Sequence, residues 1–255
     1  MSEQELAIRD GFDRAALRSV GLATSSLSVR SGVTARHASR TWTPEAAIRI
    51  LNIIVASVGV IATAPLSLVI AALIKLTSRG PVFYVQTRVG VDRRGSRRSG
   101  VANCRRQTDS GGRPFRIYKF RTMTTDSEVN GQQWATQNDP RVTRVGKVLR
   151  KYRLDELPQL LNVIRGEMNV VGPRPEQPKL FEELREKIDG YQGRQRTLPG
   201  ITGWAQINLA YDTSLDDVQR KVQYDLEYIS QRSLKKDLEI MAKTLPVMVF
   251  KKGSL

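Results

Sequence analysis

The sequence predicts a mainly helical α+β chain. It is organised on one N-terminal membrane-embedded helix interrupted at a proline, a small β-hairpin and amphipathic interfacial helices. Three observations predict this. From Ile50 to Ile74 no residue is charged, and that run of 25 residues is long enough to span a bilayer. Two short β-branched and aromatic stretches, Pro81–Gln86 and Phe115–Arg121, read as partner strands. Later segments place apolar residues three and four apart, the spacing of a helix face.

Residues 1–43 are rich in Ser, Thr, Ala and Arg with little sustained periodicity, and are expected to be a mobile cytosolic N-terminal extension. No apolar run lies near Met1, so a secretory signal is not expected there. Thr43 and Pro44 suit the N-cap and first position of a helix, and residues 44–78 are expected to form the membrane helix. Pro65 stands in its middle, where the missing N–H removes a backbone hydrogen bond and bends the helix. Arg36, Arg40 and Arg49 precede the apolar run, and Lys75, Arg79 and Arg88 follow it. Basic flanks mark the cytoplasmic side. With both flanks basic, a re-entrant hairpin and a kinked spanning helix both fit.

Residues 79–255 are expected to form a cytosolic domain at the membrane interface. Its two strands are joined by a basic loop, 91–114. Between Arg79 and Arg121 there are twelve Arg or Lys residues against Asp92 and Asp109 alone. Residues 124–140 read as a polar surface loop. Helical spacing follows at 142–152, 178–184 and 215–230, and the tail 234–250 is apolar and basic enough to lie on a membrane surface.

Lys and Arg outnumber Asp and Glu by 41 to 25, giving a net charge of +16. That balance favours anionic partners. The basic loop carries no interleaved aromatic residue of the kind that stacks on bases. Beside an apolar membrane segment it suits anionic lipids, and no nucleic acid is expected as a partner. A solvated loop without a ligand is the alternative. The single cysteine, Cys104, excludes an internal disulfide, and the single histidine, His37, leaves no histidine-based triad or His/Cys zinc site. A bound metal would have to take oxygen ligands, with Mg²⁺ the default for phosphate chemistry.

The chemistry-bearing stretch is Leu154-Asp155-Glu156-Leu157-Pro158-Gln159-Leu160-Leu161-Asn162-Val163-Ile164. Leu154, Leu157, Leu160, Leu161 and Ile164 share one helix face, and Pro158 is tolerated only in a first turn, so a helix is expected to start near Asp155. Neighbouring side chains on a helix diverge by about 100°, so the two acids cannot easily share one task. One could attack a phosphorus while the other holds a metal; the alternative is a pair of capping acids. Lys119 and Arg121, two apart on a strand, project from one face and can reach phosphate unless that face is merely solvated. Arg174 is held between Pro173 and Pro175, on a stiff segment from which its planar fork suits phosphate; a rigid turn is the other reading.

Four motifs in one order carry a resemblance: Lys119-Phe120-Arg121-Thr122-Met123, Asp155-Glu156-Leu157-Pro158-Gln159, Gly172-Pro173-Arg174-Pro175, and Pro199-Gly200-Ile201-Thr202-Gly203-Trp204-Ala205-Gln206. Over residues 45–250 the chain resembles the bacterial sugar transferases, the monotopic polyprenyl-phosphate phosphoglycosyl transferases of exopolysaccharide and glycan assembly. The resemblance implies a re-entrant helix broken near Pro65, with both ends on the cytoplasmic face of the bacterial inner membrane. It implies a sugar-1-phosphate transfer from a UDP-sugar to a polyprenyl phosphate such as undecaprenyl phosphate, with release of UMP. Asp155 would be the nucleophile of an aspartyl-phosphosugar intermediate, Glu156 would hold Mg²⁺, and Pro173, Arg174 and Pro175 would help hold the donor's nucleotide phosphates. Asp225 falls where the family commonly keeps an acid and joins the substrate-binding set with Lys119 and Arg121.

Two departures stand out. Loop 91–114 is longer than the family's usual strand connection, and Leu209-Ala210 replaces a Gly-Arg found in some relatives. Two other function classes remain open from sequence: a peripheral anionic-lipid or nucleic-acid binding protein without catalysis, and a lipid diphosphate hydrolase. A homodimer is compatible with either outcome.

Overall fold

The computed structural model describes residues 44–93, 111–124, 139–209 and 214–249. The expectations for the N-terminal extension, most of the basic loop and most of the 124–140 loop fall outside these residues.

Helix α1 (Pro44–Thr77) has 34 residues and would be roughly 50 Å long if straight. Its most apolar window has a mean hydropathy of 2.4, and only 11% of that window is buried. The helix is therefore long and apolar enough to cross or enter a membrane. Helical structure continues through Pro65, which stands inside the helix. Thr63 Oγ1 donates to the Gly59 carbonyl at 2.7 Å, a local back-bond of the kind that accompanies helix bending.

The two ends of α1 are packed and its middle is not. Ile48, Asn52 and Ala56 are buried on the first stretch, Ile70 and Ile74 on the last. Val58, Ile61, Leu66, Leu68 and Val69 between them are exposed. Polar contacts fasten both ends. Arg49 donates to the Val163 carbonyl at 2.7 Å and the Ile164 carbonyl at 2.9 Å. The Asn52 side chain accepts from the Val170 amide. Beyond the other end, Arg121 Nη2 donates to the Ser78 carbonyl and to its hydroxyl, each at 2.8 Å.

Strands β1 (Phe83–Val89) and β2 (Pro114–Phe120) form the expected antiparallel hairpin, with Phe83 opposite Phe120 and Tyr84 opposite Lys119. Residues 83–89 rather than 81–86 pair, because Pro81 has no N–H to give a ladder. Phe115 and Ile117 pack with Ala56 of α1, and with Val163 and Met168. Phe120 packs with Ile70, Ile74 and Leu149. Each such side chain contributes about 1.5–3 kcal/mol by leaving water, so β2 and α1 are joined at both ends by apolar contact.

Helix α2 (Arg144–Lys151) starts at Thr143, whose hydroxyl accepts from the Gly146 amide at 2.9 Å. Next come α3 (Gln159–Arg165), β3 (Asn169–Val171), α4 (Pro178–Lys187), β4 (Gly200–Thr202), α5 (Trp204–Asn208), α6 (Leu215–Gln231) and α7 (Leu234–Val249). Strands β3 and β4 pair in parallel, Asn169 opposite Gly200 and Val171 opposite Thr202. This explains the glycine-punctuated motif. A Cβ on Gly200 would stand 2.1 Å from the Gly172 nitrogen, and one on Gly203 would stand 2.3 Å from the Gly172 oxygen. The backbones meet closely enough that only glycine fits, and this fixes the segment that carries Arg174.

Candidate active site

Asp155 and Glu156 do not open an α-helix. They sit in a 3-10 turn, Leu154–Glu156, and α3 begins only at Gln159 with Pro158 as its N-cap. The turn is closed by Glu156 N–H to Arg153 O at 3.2 Å and Leu157 N–H to Leu154 O at 3.3 Å. Proline has no N–H, and the tighter i→i+3 bonds form ahead of it. Arg153, just before the turn, has φ 53°, the left-handed region that a non-glycine residue occupies only at a cost. Leu154 and Leu157 pack against Ile70, Ile74, Phe120 and Leu149, so apolar contact to α1 and β2 holds the turn.

Both acids are buried, and their partners differ. Glu156 Oε1 accepts from Arg174 Nη2 at 2.7 Å and from Lys119 Nζ at 3.2 Å. Burial alone would raise the Glu156 pKa, but Arg174 and Lys119 hold it well below the usual carboxylate range. Asp155 makes no hydrogen bond or ion pair among the described residues, although it is only 9% exposed. Burial pushes its carboxyl up, Lys119 opposes this, and the neighbouring Glu156 charge adds to it. One acid is thus a neutralised anchor between two cations. The other is a more basic carboxylate with its lone pairs unspent, the state a nucleophile needs.

Arg174 is placed by the close β3–β4 pairing, in which the Gly200 amide donates to the Pro173 carbonyl at 2.9 Å. Arg194, in the turn Tyr191–Arg196, is buried behind it and donates to the Arg174 carbonyl at 3.0 Å. Asp225 does not reach the acid pair. It is buried on α6 and accepts from Arg194 Nε at 2.8 Å. The structure therefore puts Asp225 in a supporting position, neither in the site nor on a solvent face. Glu176 completes this layer, 3.2 Å from Lys221 and 3.9 Å from both Arg88 and Arg194. Burial would raise its pKa, but Lys221, Arg194 and Arg88 bring it down to about 2.

Lys119 and Arg121 were expected to act together, and the structure separates their contacts. Lys119 binds Glu156, while Arg121 reaches back to Ser78 after α1. The buried Nε and Nη1 of Arg121 have no hydrogen-bond partner among the described residues. Pro65 lies on the exposed middle of α1, away from the acid pair's contacts. Sequence reading took Arg49 and Arg88 only as basic flanks of the apolar run and did not single out Asn52 or Arg194. No spacing marks their roles, because they act through backbone groups and partners distant in sequence.

No group of three or more His, Cys, Asp or Glu side chains suited to a metal occurs among the described residues. This does not disfavour Mg²⁺, which commonly uses one or two carboxylates together with waters and substrate phosphates. Asp155 is unspent, and both hydrogen bonds to Glu156 fall on Oε1. Glu156 would hold such a cation together with a phosphate ligand, and no closed protein cage is formed among the described residues.

Comparisons with known proteins identify the family. Residues 43–251 match the family model described as bacterial sugar transferase. Over 195 residues, 76% of this chain and 42% of the relative, it is 43% identical to a UDP-N-acetylgalactosamine-undecaprenyl-phosphate N-acetylgalactosaminephosphotransferase of Aeromonas hydrophila. It is 39% identical to a UDP-glucose:undecaprenyl-phosphate glucose-1-phosphate transferase of Escherichia coli (strain K12), over 76% of this chain and 38% of the relative. It is 35% identical to the exopolysaccharide production protein ExoY of Sinorhizobium fredii, over 81% of this chain and 87% of that one. The alignments thus cover about two fifths of the first two relatives and most of the third. With the matched region enclosing α1, the hairpin, the acid pair and the Arg174 segment together, the chain belongs to the bacterial sugar transferase family.

Proposed function

We propose that the protein transfers a sugar-1-phosphate from a UDP-sugar to a polyprenyl phosphate at the cytoplasmic face of a bacterial inner membrane. The observation that carries this reading is the division of labour between adjacent acids. Glu156 is clamped by Lys119 and Arg174, while Asp155 is buried, basic and unpaired. In the first step an Asp155 carboxylate oxygen attacks the donor's sugar-bearing phosphorus. The bond to the bridging oxygen breaks, and UMP leaves with that electron pair. In the second step the acceptor phosphate oxygen attacks the aspartyl phosphosugar, which frees Asp155 and forms the polyprenyl diphosphate sugar. Arg174 and Lys119 offset negative charge beside the reacting group. Mg²⁺ held with Glu156 would neutralise the donor phosphates.

The docking of α1 supports a re-entrant helix. Its first and last stretches each bury one side on β2 and its neighbours, while the middle, from Val58 to Val69, offers an exposed apolar surface to lipid. The excess of basic residues from Arg79 to Arg121 suits the anionic headgroups that would surround such an entry point. The acid pair would then lie at headgroup level, where a soluble donor and a lipid-borne acceptor can both arrive.

The test is UMP release by the full chain in nanodiscs with Mg²⁺, across UDP-sugars that include UDP-glucose and UDP-N-acetylgalactosamine. One active donor, a phosphosugar adduct on Asp155 by mass spectrometry and loss of both in Asp155→Asn would support the reading. Full turnover in Asp155→Asn would remove Asp155 as nucleophile. Transfer to water in place of prenyl phosphate would make the protein a hydrolase.

A further inference from the structure

A cavity of about 100 Å³ opens beside the acid pair. Arg153 and Glu156 are its charged lining residues, and Leu157, Leu160, Ile201, Ile207 and Val247 are among its apolar ones. Most polar groups in the walls are engaged within the protein, the exception being Gln206 Oε1, a buried acceptor with no hydrogen-bond partner among the described residues. Thr202 and Thr244 share a hydrogen bond at 2.8 Å, Thr244 also bonds the Ile240 carbonyl, and the Gln206 amide donates to the Ile201 carbonyl. A sugar or nucleotide placed here would leave most of its hydroxyls and ring nitrogens poorly paired. An apolar group would lose nothing. Dry cavities of about 150 Å³ accept a benzene-sized guest, so this one has the size for a five-carbon branched unit.

Two features say what such a group is attached to. Glu156 is part of the lining, so an occupant borders the acid pair. Leu160 on its wall also lies against α1, where a Cβ on Gly59 would stand 3.0 Å from Leu160 Cδ1. The cavity therefore lies between the acid pair and the apolar helix. On the α7 side Leu245, next to Thr244, is 67% exposed. An occupant with a phosphate at one end and a hydrocarbon leading to lipid at the other satisfies both boundaries.

We infer that this cavity holds the first isoprene unit of the polyprenyl phosphate acceptor. The proposal rests on the transferase reading above. Walls from α3, β4, α5 and α7 grip the phosphate-proximal end of the chain and aim the acceptor oxygen at the Asp155 adduct. The remainder of the prenyl chain passes along α1 into the bilayer.

Two measurements test it. The first uses Val247→Trp to fill the cavity, with Val247→Leu as control. Stoichiometric UMP release without acceptor should stay within about twofold of wild type, and kcat/KM for prenyl phosphate should fall tenfold or more. Unchanged prenyl transfer with a normal UMP burst overturns the proposal. The second uses no turnover: a prenyl phosphate carrying a diazirine on its first isoprene unit is photolysed with wild-type protein in nanodiscs. Labels should map to residues 201–207 and 244–247, and excess unlabelled prenyl phosphate should compete them away. Equal labelling of the same residues by a diazirine phospholipid would make the cavity a lipid-facing recess and overturn the assignment. If no donor gives UMP release, the transferase reading fails while the labelling result still decides the cavity. If Val247→Trp loses the burst, the wild-type labelling decides in the same way.

Discussion

Arg174 Nη2 lies 2.7 Å from Glu156 Oε1, the same oxygen that Lys119 Nζ approaches at 3.2 Å. One carboxylate oxygen thus ties the strand β2, the 3-10 turn and the Pro-Arg-Pro segment together. Removing the charge leaves two half-buried cations without the carboxylate between them. Glu156→Gln should lower transfer at least 100-fold and raise the Mg²⁺ concentration needed for half-maximal rate. A magnesium titration of UMP release checks this, and an unchanged magnesium midpoint would show that Glu156 has no part in metal use.

The raised Asp155 pKa sets a direction for pH dependence. A nucleophile must be ionised, so the first step should be lost as pH falls through a pKa above the ordinary aspartate value. Burial raises that pKa, and Lys119 holds it down against burial. Lys119→Met should therefore move the acid limb of the UMP burst to higher pH, besides slowing it. A limb unmoved or shifted to lower pH would contradict the electrostatic coupling of Lys119 to Asp155.

Asp225 supports Arg194, which holds the Arg174 carbonyl. Breaking one partner of a buried ion pair typically costs about 3–5 kcal/mol. Asp225→Asn keeps the shape and a hydrogen-bond acceptor, so it should lose less stability than Asp225→Ala. It should also raise the donor KM more than it changes the acceptor KM. Thermal unfolding and two-substrate kinetics separate the effects, and equal rises in both constants would indicate general loosening.

Much of the fold was legible because it rests on local periodicity. The apolar run of α1, the alternation in β2 and the spacing of α6 each announce their element. The acid pair was legible as chemistry but misplaced locally, because Pro158 can cap a helix from outside as well as sit in its first turn. The parallel β3–β4 pair was only half legible: Gly200 to Thr202 read as loop or strand, and Asn169 to Val171 carried no strand signal of its own. Asp225 could not be placed from sequence, since its partner Arg194 is 31 residues away and shows no pattern. Pro65 was legible from its chemistry, and it stands inside the helical span of α1.

Glu176 gives a stability prediction. Its pKa is about 2 against an ordinary 4.5, a depressed carboxyl, so its contribution is present above pH 4.5 and lost as pH falls from there towards 2. At about 1.4 kcal/mol per unit, the full effect is on the order of 3 kcal/mol. Wild type should lose stability over that window relative to Glu176→Gln, although the variant is less stable at neutral pH. Urea unfolding of both proteins at pH 7 and pH 3 checks the sign, and a difference that grows on acidification would refute it.

The fastening of both ends of α1 makes a prediction about sidedness. Arg49 and Asn52 hold the first stretch to α3 and β3, and Arg121 holds Ser78 after the last. A straight span would carry one end to the far side of the bilayer, breaking one set of contacts and exposing Ile70, Ile74 and Phe120 or Ile48 and Ala56. Burying those side chains again favours keeping both ends on one side by several times about 1.5–3 kcal/mol. With Cys104 replaced by Ser, cysteines introduced at Glu45 and at Arg79 should both react with a membrane-impermeant maleimide in inside-out vesicles. Neither should react in intact spheroplasts. Reaction of one site from each side would establish a spanning helix, and the interactions at one end of α1 would then have to be absent in the membrane.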